Sequence, residues 1–94
     1  MNQEQKEKYW PLFEAVLALE TVEECERFFE DLCTIRELND MSDRLEAAKL
    51  LLKGETYEVI GQKTNMSSAT ISRVNRCIQF GSGGYKEIIS KLKR

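Results

Sequence analysis

The chain has no histidine. That removes the side chain that most often serves as a general base near neutral pH, and with it any Ser-His or Cys-His nucleophile pair. No paired carboxylate or lysine constellation stands out in its place, so an enzyme is not expected. The three cysteines, Cys25, Cys33 and Cys77, are odd in number, widely spaced and without a CxxC. With no histidine to complete a ligand set, no metal site is expected. Each cysteine reads instead as a small apolar residue on a helix, in a reducing cytoplasm. No apolar run approaches the roughly 20 residues a membrane span needs, and the polar N-terminus lacks the apolar core of a signal peptide. A single proline and five glycines in 94 residues leave few breaks in the pattern.

What the sequence does have is charge, unevenly divided. The net charge is −2 and the sequence pI about 5.2, which at first sight argues against an anionic partner. Residues 1–40 carry four basic and eleven acidic side chains, whereas residues 41–94 carry ten basic and five acidic ones. At physiological salt the screening length is about 8 Å, so a DNA backbone responds to the local positive surface and not to distant carboxylates.

Ninety-four residues suffice for one domain with a modest core. The apolar spacing is helical throughout, with no alternating run long enough for a strand. A first helix is expected over about residues 4–19, with Tyr9, Trp10, Phe13, Val16 and Leu17 as its stripe. Pro11 either kinks it or marks its true first turn. Thr21-Val22-Glu23-Glu24 and Thr34-Ile35-Arg36-Glu37 both have the form of a capping box, in which the threonine oxygen accepts an early backbone N–H and the glutamate reaches back. The helix after the first box is expected to bury Val22, Cys25, Phe28, Phe29 and Leu32. The second box opens the longest helix, with Ile35, Leu38, Met41, Leu45, Ala48, Leu51 and Leu52 at steps of three and four, and Gly54 as its left-handed stop. Three amphipathic helices within residues 1–54 point to dimerisation, although a compact monomer accounts for the same stripes.

After Gly54 the sequence reads TYEVIGQKTNMSSATISRVNR. Two short helices joined by a tight turn place Ile60, Thr64, Met66, Ile71 and Val74 on the faces that meet. Gly61 falls where the second helix crosses, Asn65 at a turn position that tolerates a left-handed backbone, and Ser67 where it caps the second helix. This is a helix-turn-helix over residues 55–77. In such a unit the second helix enters the major groove. The DNA-binding candidates are Thr56, Tyr57, Ser67, Ser68, Ala69, Ser72, Arg73 and Arg76. Serine hydroxyls and an alanine methyl suit base edges, arginines fork onto guanine or neutralise phosphates, and Thr56 and Tyr57 offer hydroxyls to a phosphate at a helix's positive end. A polar face that merely solvates a bundle is more often written with Glu, Lys and Gln than with Ser and Thr. Beyond it, FGSGGY has neither the spacing nor the lysine-hydroxyl ending of a P-loop and reads as a turn before a closing helix over 85–94, in which Tyr85 packs or contacts backbone. The basic tail, Lys91, Lys93 and Arg94, adds to the positive half.

LLKGE at residues 51–55, ATISR at 69–73 and the Thr34-x-x-Glu37 cap carry a resemblance to the tryptophan repressor family, and within it to Trp repressor-like proteins of the YerC/YecD type. It covers nearly the whole chain. The resemblance implies an all-α fold of about six helices, an interlocked homodimer, and a transcriptional regulator that is usually a repressor. It also maps the family's tryptophan pocket onto Thr34 in the turn before the long helix, Arg44, Arg73 and Val74. Arg44 has a second reading, a solvated charge pairing with Asp40. Where the tryptophan repressor has a glycine that leaves room for the indole, Val74 brings a branched side chain, so tryptophan or another small corepressor is not favoured.

These features together predict a cytoplasmic, homodimeric, sequence-specific regulator that binds double-stranded DNA, with no cofactor, metal or membrane partner. The alternative is a helical protein-interaction module that binds transcription machinery without base-specific contacts. It requires exposed apolar anchors on the second helix of the unit.

Overall fold

Asn2 begins the first helix. Its Oδ1 accepts the Gln5 N–H at 2.8 Å while the Gln5 side chain accepts the Asn2 N–H at 3.0 Å, a reciprocal cap that satisfies two otherwise unpaired donors. In the computed structural model, which describes residues 1–92, six α-helices follow in order: α1 (Gln3–Leu17), α2 (Val22–Leu32), α3 (Ile35–Leu52), α4 (Tyr57–Thr64), α5 (Ser68–Phe80) and α6 (Gly84–Leu92). The described residues contain no strand, as the spacing of apolar residues required. The first helix starts one residue earlier and ends two earlier than expected, and the last starts one residue earlier; its expected end, with Lys93 and Arg94 of the basic tail, lies outside the described residues.

The chain divides into two compact units, Met1–Ile35 and the remainder from Arg36 onward. In the first, α1 continues through Pro11, so that residue is interior and not a first turn. The ring removes the N–H that would otherwise bond the Glu7 carbonyl. Thr21 caps α2 as expected, its Oγ1 accepting the Glu24 N–H at 3.1 Å. Glu24, however, reaches back to the N–H of Glu20 at 3.2 Å, one residue before the cap. Phe28 and Phe29 meet edge to face, with centroids 5.6 Å apart. Nothing in α1 or α2 is buried in the single chain. Val22 is 81% exposed and Leu32 is open too, while Cys25, Phe28 and Phe29 of the same expected face are half-buried. The amphipathic pattern fixed which residues share that face and could not say what lies over it.

The second unit holds the core. Ala47, Ala48 and Leu50 of α3, Ile60 of α4, Ile71, Val74 and Ile78 of α5 and Ile89 of α6 are buried together, with Leu51, Leu52, Met66 and Tyr85 against them. Only the C-terminal third of α3 enters this cluster; Met41 and Leu45 stay open, and Ile35 is 79% exposed. Gly54, at φ +86°, stops α3. The Gly54 N–H bonds the Leu51 carbonyl and the Glu55 N–H bonds the Leu50 carbonyl, both at 3.0 Å, which is the Schellman arrangement. Thr56 then caps α4, accepting the Val59 N–H at 3.2 Å. At the far end, Gly81 and Gly83 (φ +87°) shape the turn from α5 into α6, and Tyr85 packs against the core.

Candidate nucleic-acid interface

Three residues join α4 to α5, and each has a structural task. Asn65 takes the left-handed conformation (φ 60°, ψ 18°) and donates its N–H to the Gly61 carbonyl at 2.9 Å. Met66 packs on the core, and its N–H bonds the Thr64 Oγ1 at 3.2 Å. Ser67 caps α5, its Oγ accepting the Thr70 N–H at 3.2 Å and lying 3.0 Å from the Thr70 hydroxyl. Thr64 is the one buried polar residue among those described, and its hydroxyl donates to the Ile60 carbonyl at 2.7 Å. The turn is thus held by side-chain hydrogen bonds that the sequence encodes locally, and α5 leaves it in a fixed direction. Gly61 behaves differently from expectation. A Cβ at that position would meet the Met66 carbonyl at 3.5 Å, an ordinary contact, so close approach of backbones does not demand glycine there.

The helical repeat of 3.6 residues sorts α5 into two sides. Ile71, Val74 and Ile78 form one, and all are buried. Ser68, Ala69, Ser72, Arg73 and Arg76 form the other; Ser72 is half-buried at the margin and the rest are exposed. From Ser68 to Arg76 this outer face is about 12 Å long at 1.5 Å per residue, close to the width of the major groove. The first turn of α5 contains no acidic residue, and no carboxylate occurs between Glu58 and Glu87, an interval that includes Lys63, Arg73, Arg76 and Lys86. That interval is therefore positive along the chain, while Asp40 and Asp43 of α3 line a recess with Met66 and Thr70 near the start of α5.

Thr56 and Tyr57 stand at the start of α4, both exposed. The Tyr57 Oη receives a hydrogen bond from the Asn75 Nδ2 of α5 at 3.2 Å. The expected site residues of the helix-turn-helix therefore occupy one continuous element pair. Asn75 was not among them, because nothing local to VNR marks it as the partner of a residue 18 positions earlier.

The four residues mapped to a ligand pocket have different surroundings in the single chain. Arg44 lines a recess of about 230 Å³ with Asp40, Asp43, Met66 and Thr70. Arg73 is exposed and does not line it, Val74 is 2% exposed in the core, and Thr34 is exposed just ahead of α3. Among the described residues no cluster of His, Cys, Asp or Glu could hold a metal ion, and no helix is long and apolar enough to cross a membrane.

Comparison with known proteins converges on one family. The family model described as Trp repressor protein matches residues 7–93. YerC of Bacillus subtilis strain 168, itself an uncharacterized protein, is 46% identical over 82 residues, spanning 87% of this chain and 79% of its own. The crystal structure of a TrpR-like protein from Eubacterium eligens superposes with a TM-score of 0.93 at 43% identity, covering 98% of this chain and 96% of that one. A Staphylococcus aureus protein proposed to be a Trp repressor superposes with a TM-score of 0.90 at 42% identity, over 99% and 96% of the two chains. With its six-helix order, its capped turn and its hydroxyl-rich second helix, the chain belongs to the Trp repressor family.

Proposed function

We propose that the protein is a homodimeric, sequence-specific DNA-binding transcriptional regulator of the cytoplasm, acting as a repressor by occupying its operator. The observation that carries this reading is the outer face of α5: hydroxyls, a methyl and two arginines, free of carboxylates, on a helix whose direction is set by a fully capped turn. Ser68, Ala69 and Ser72 read base edges; Arg73 and Arg76 fork onto guanine or neutralise phosphates, and Thr56 and Tyr57 anchor the backbone. The function is occupancy and requires no catalytic step. Family membership and the similarity to a proposed Trp repressor support the same reading.

Dimerisation follows from the apolar faces that a single copy leaves open on α1, α2 and the first half of α3. Binding proceeds without a corepressor on this reading, since Val74 stands where the tryptophan repressor has a glycine that leaves room for the indole. The protein-interaction reading is less well supported: among large apolar residues of α5 only Phe80, its last residue, is exposed.

Selection of bound duplexes from a random pool, with and without L-tryptophan, tests the proposal. A defined, two-fold symmetric site enriched in both conditions, with affinity falling steeply with salt, is the expected result. Failure to enrich any sequence, or binding indifferent to salt, overturns it.

A further inference from the structure

The geometry points to Asn75 as a positioning residue for DNA contact: it turns the Tyr57 phenol so that its O–H proton faces a backbone phosphate, and it ties that anchor to the recognition helix. This inference rests on the DNA-binding reading and deepens it. Asn75 lies on α5 at the margin of the outer face, half-buried, and its Nδ2 donates to the Tyr57 Oη at 3.2 Å across the two helices. A phenol has one proton to give and lone pairs to receive. With a lone pair engaged by the Asn75 amide, the proton remains for an outside acceptor, and the inward bond strengthens it as a donor. Tyr57 is the first residue of α4, where unpaired N–H groups create a positive end suited to an anion. The neighbouring Thr56 oxygen is likewise engaged as an acceptor, by the Val59 N–H, leaving its own proton available.

The two helices contribute different things to a DNA complex, and the Asn75–Tyr57 bond fixes where the phenol stands relative to α5. A phosphate held at Tyr57 fixes where along the groove Ser68 and Ser72 fall. Loss of Asn75 releases the phenol without removing any atom that itself meets DNA.

The test uses the full chain and the duplex that the wild-type protein enriches from a random pool. Affinity and phosphate-ethylation interference are measured for the wild type, Tyr57→Phe, Asn75→Ala and the double variant. Each single substitution is expected to weaken binding about tenfold, and the double variant no further than the weaker of the two singles. Ethylation interference at the same one or two phosphates is expected to vanish in both singles, with the remaining pattern and the thermal unfolding midpoint retained. Asn75→Asp, which accepts from the phenol and turns its proton inward, is expected to weaken binding at least as much as Asn75→Ala. A uniform loss of interference at every phosphate in Asn75→Ala, or effects that multiply in the double variant, overturns the inference while leaving the DNA-binding reading intact. Absence of salt-dependent duplex binding by the wild type removes both.

Discussion

The hydroxyl of Thr64 donates to the carbonyl of Ile60 at 2.7 Å and, in the same turn, accepts the N–H of Met66 at 3.2 Å. One side chain thereby closes the last turn of α4 and directs the chain into α5. Thr64→Val keeps the volume and breaks both bonds, leaving a half-buried N–H without its acceptor. A loss of about 1–3 kcal/mol is expected, read as a lower urea midpoint with the slope unchanged. Thr64→Ser keeps both bonds and removes a methyl, so its loss is expected to be about 1 kcal/mol. A larger loss from Thr64→Ser than from Thr64→Val would show that the methyl, and not the hydroxyl, holds the turn.

Two glycines make a paired prediction. Gly61 lies within α4 with room for a Cβ, and alanine there should stabilise the protein by up to about 1 kcal/mol through helix propensity. Gly81 has a negative φ, yet a Cβ there would run into the Cys77 carbonyl. Gly81→Ala is therefore expected to lower the melting temperature, and Gly61→Ala to raise it, in the same calorimetric comparison.

Much of the fold could be read from local chemistry. Thr21, Gly54, Asn65 and Ser67 each act within a few residues of themselves, and each terminates or opens a helix as its side chain dictates. What escaped were relationships decided by tertiary geometry. The Asn2–Gln5 cap is the exception, a local signal in which an asparagine stands three residues before a glutamine. The Tyr57–Asn75 bond, by contrast, exists only once α4 and α5 have packed, and no short-range pattern contains it. Gly61 looked like a close-approach glycine because helix crossings often need one; the measured clearance depends on the crossing itself. The exposure of Val22 and Ile35 belongs to the same class, since an apolar stripe specifies a face and not its cover.

The arginines and serines of α5 should separate by salt dependence. Where Arg73 or Arg76 meets phosphate, replacement by alanine is expected to weaken binding across sequences and to reduce the slope of log affinity against log salt by about 0.9 per arginine. Ser72→Ala and Ser68→Ala remove neutral groups, so the slope is expected to hold while preference at one or two base positions relaxes. Fluorescence anisotropy at several salt concentrations, on matched and mismatched duplexes, distinguishes the two patterns. An unchanged slope in both arginine variants would assign those side chains to bases instead of phosphates.

The open apolar faces predict assembly. Sedimentation equilibrium is expected to return twice the 10.9 kDa chain mass. Leu17 and Val22, both largely exposed in the single chain, are the residues to charge. Leu17→Glu with Val22→Glu is expected to shift the mass toward the monomer, whereas the same change at the exposed Gln62 should leave it unaltered.

The passage from α3 to α4 has no slack. Lys53 still bonds back to the carbonyls of Lys49 and Leu50, Gly54 and Glu55 complete the stop, and Thr56 is already the next cap, so every residue between Leu52 and Tyr57 is committed. The segment is an elbow cast in one piece. An added residue that α4 absorbed into its own spiral would rotate its faces by about 100°, carrying Ile60 away from the core and Tyr57 away from Asn75 together. The pitch of α4, and through the capped turn that of α5, is therefore inherited from the far end of α3.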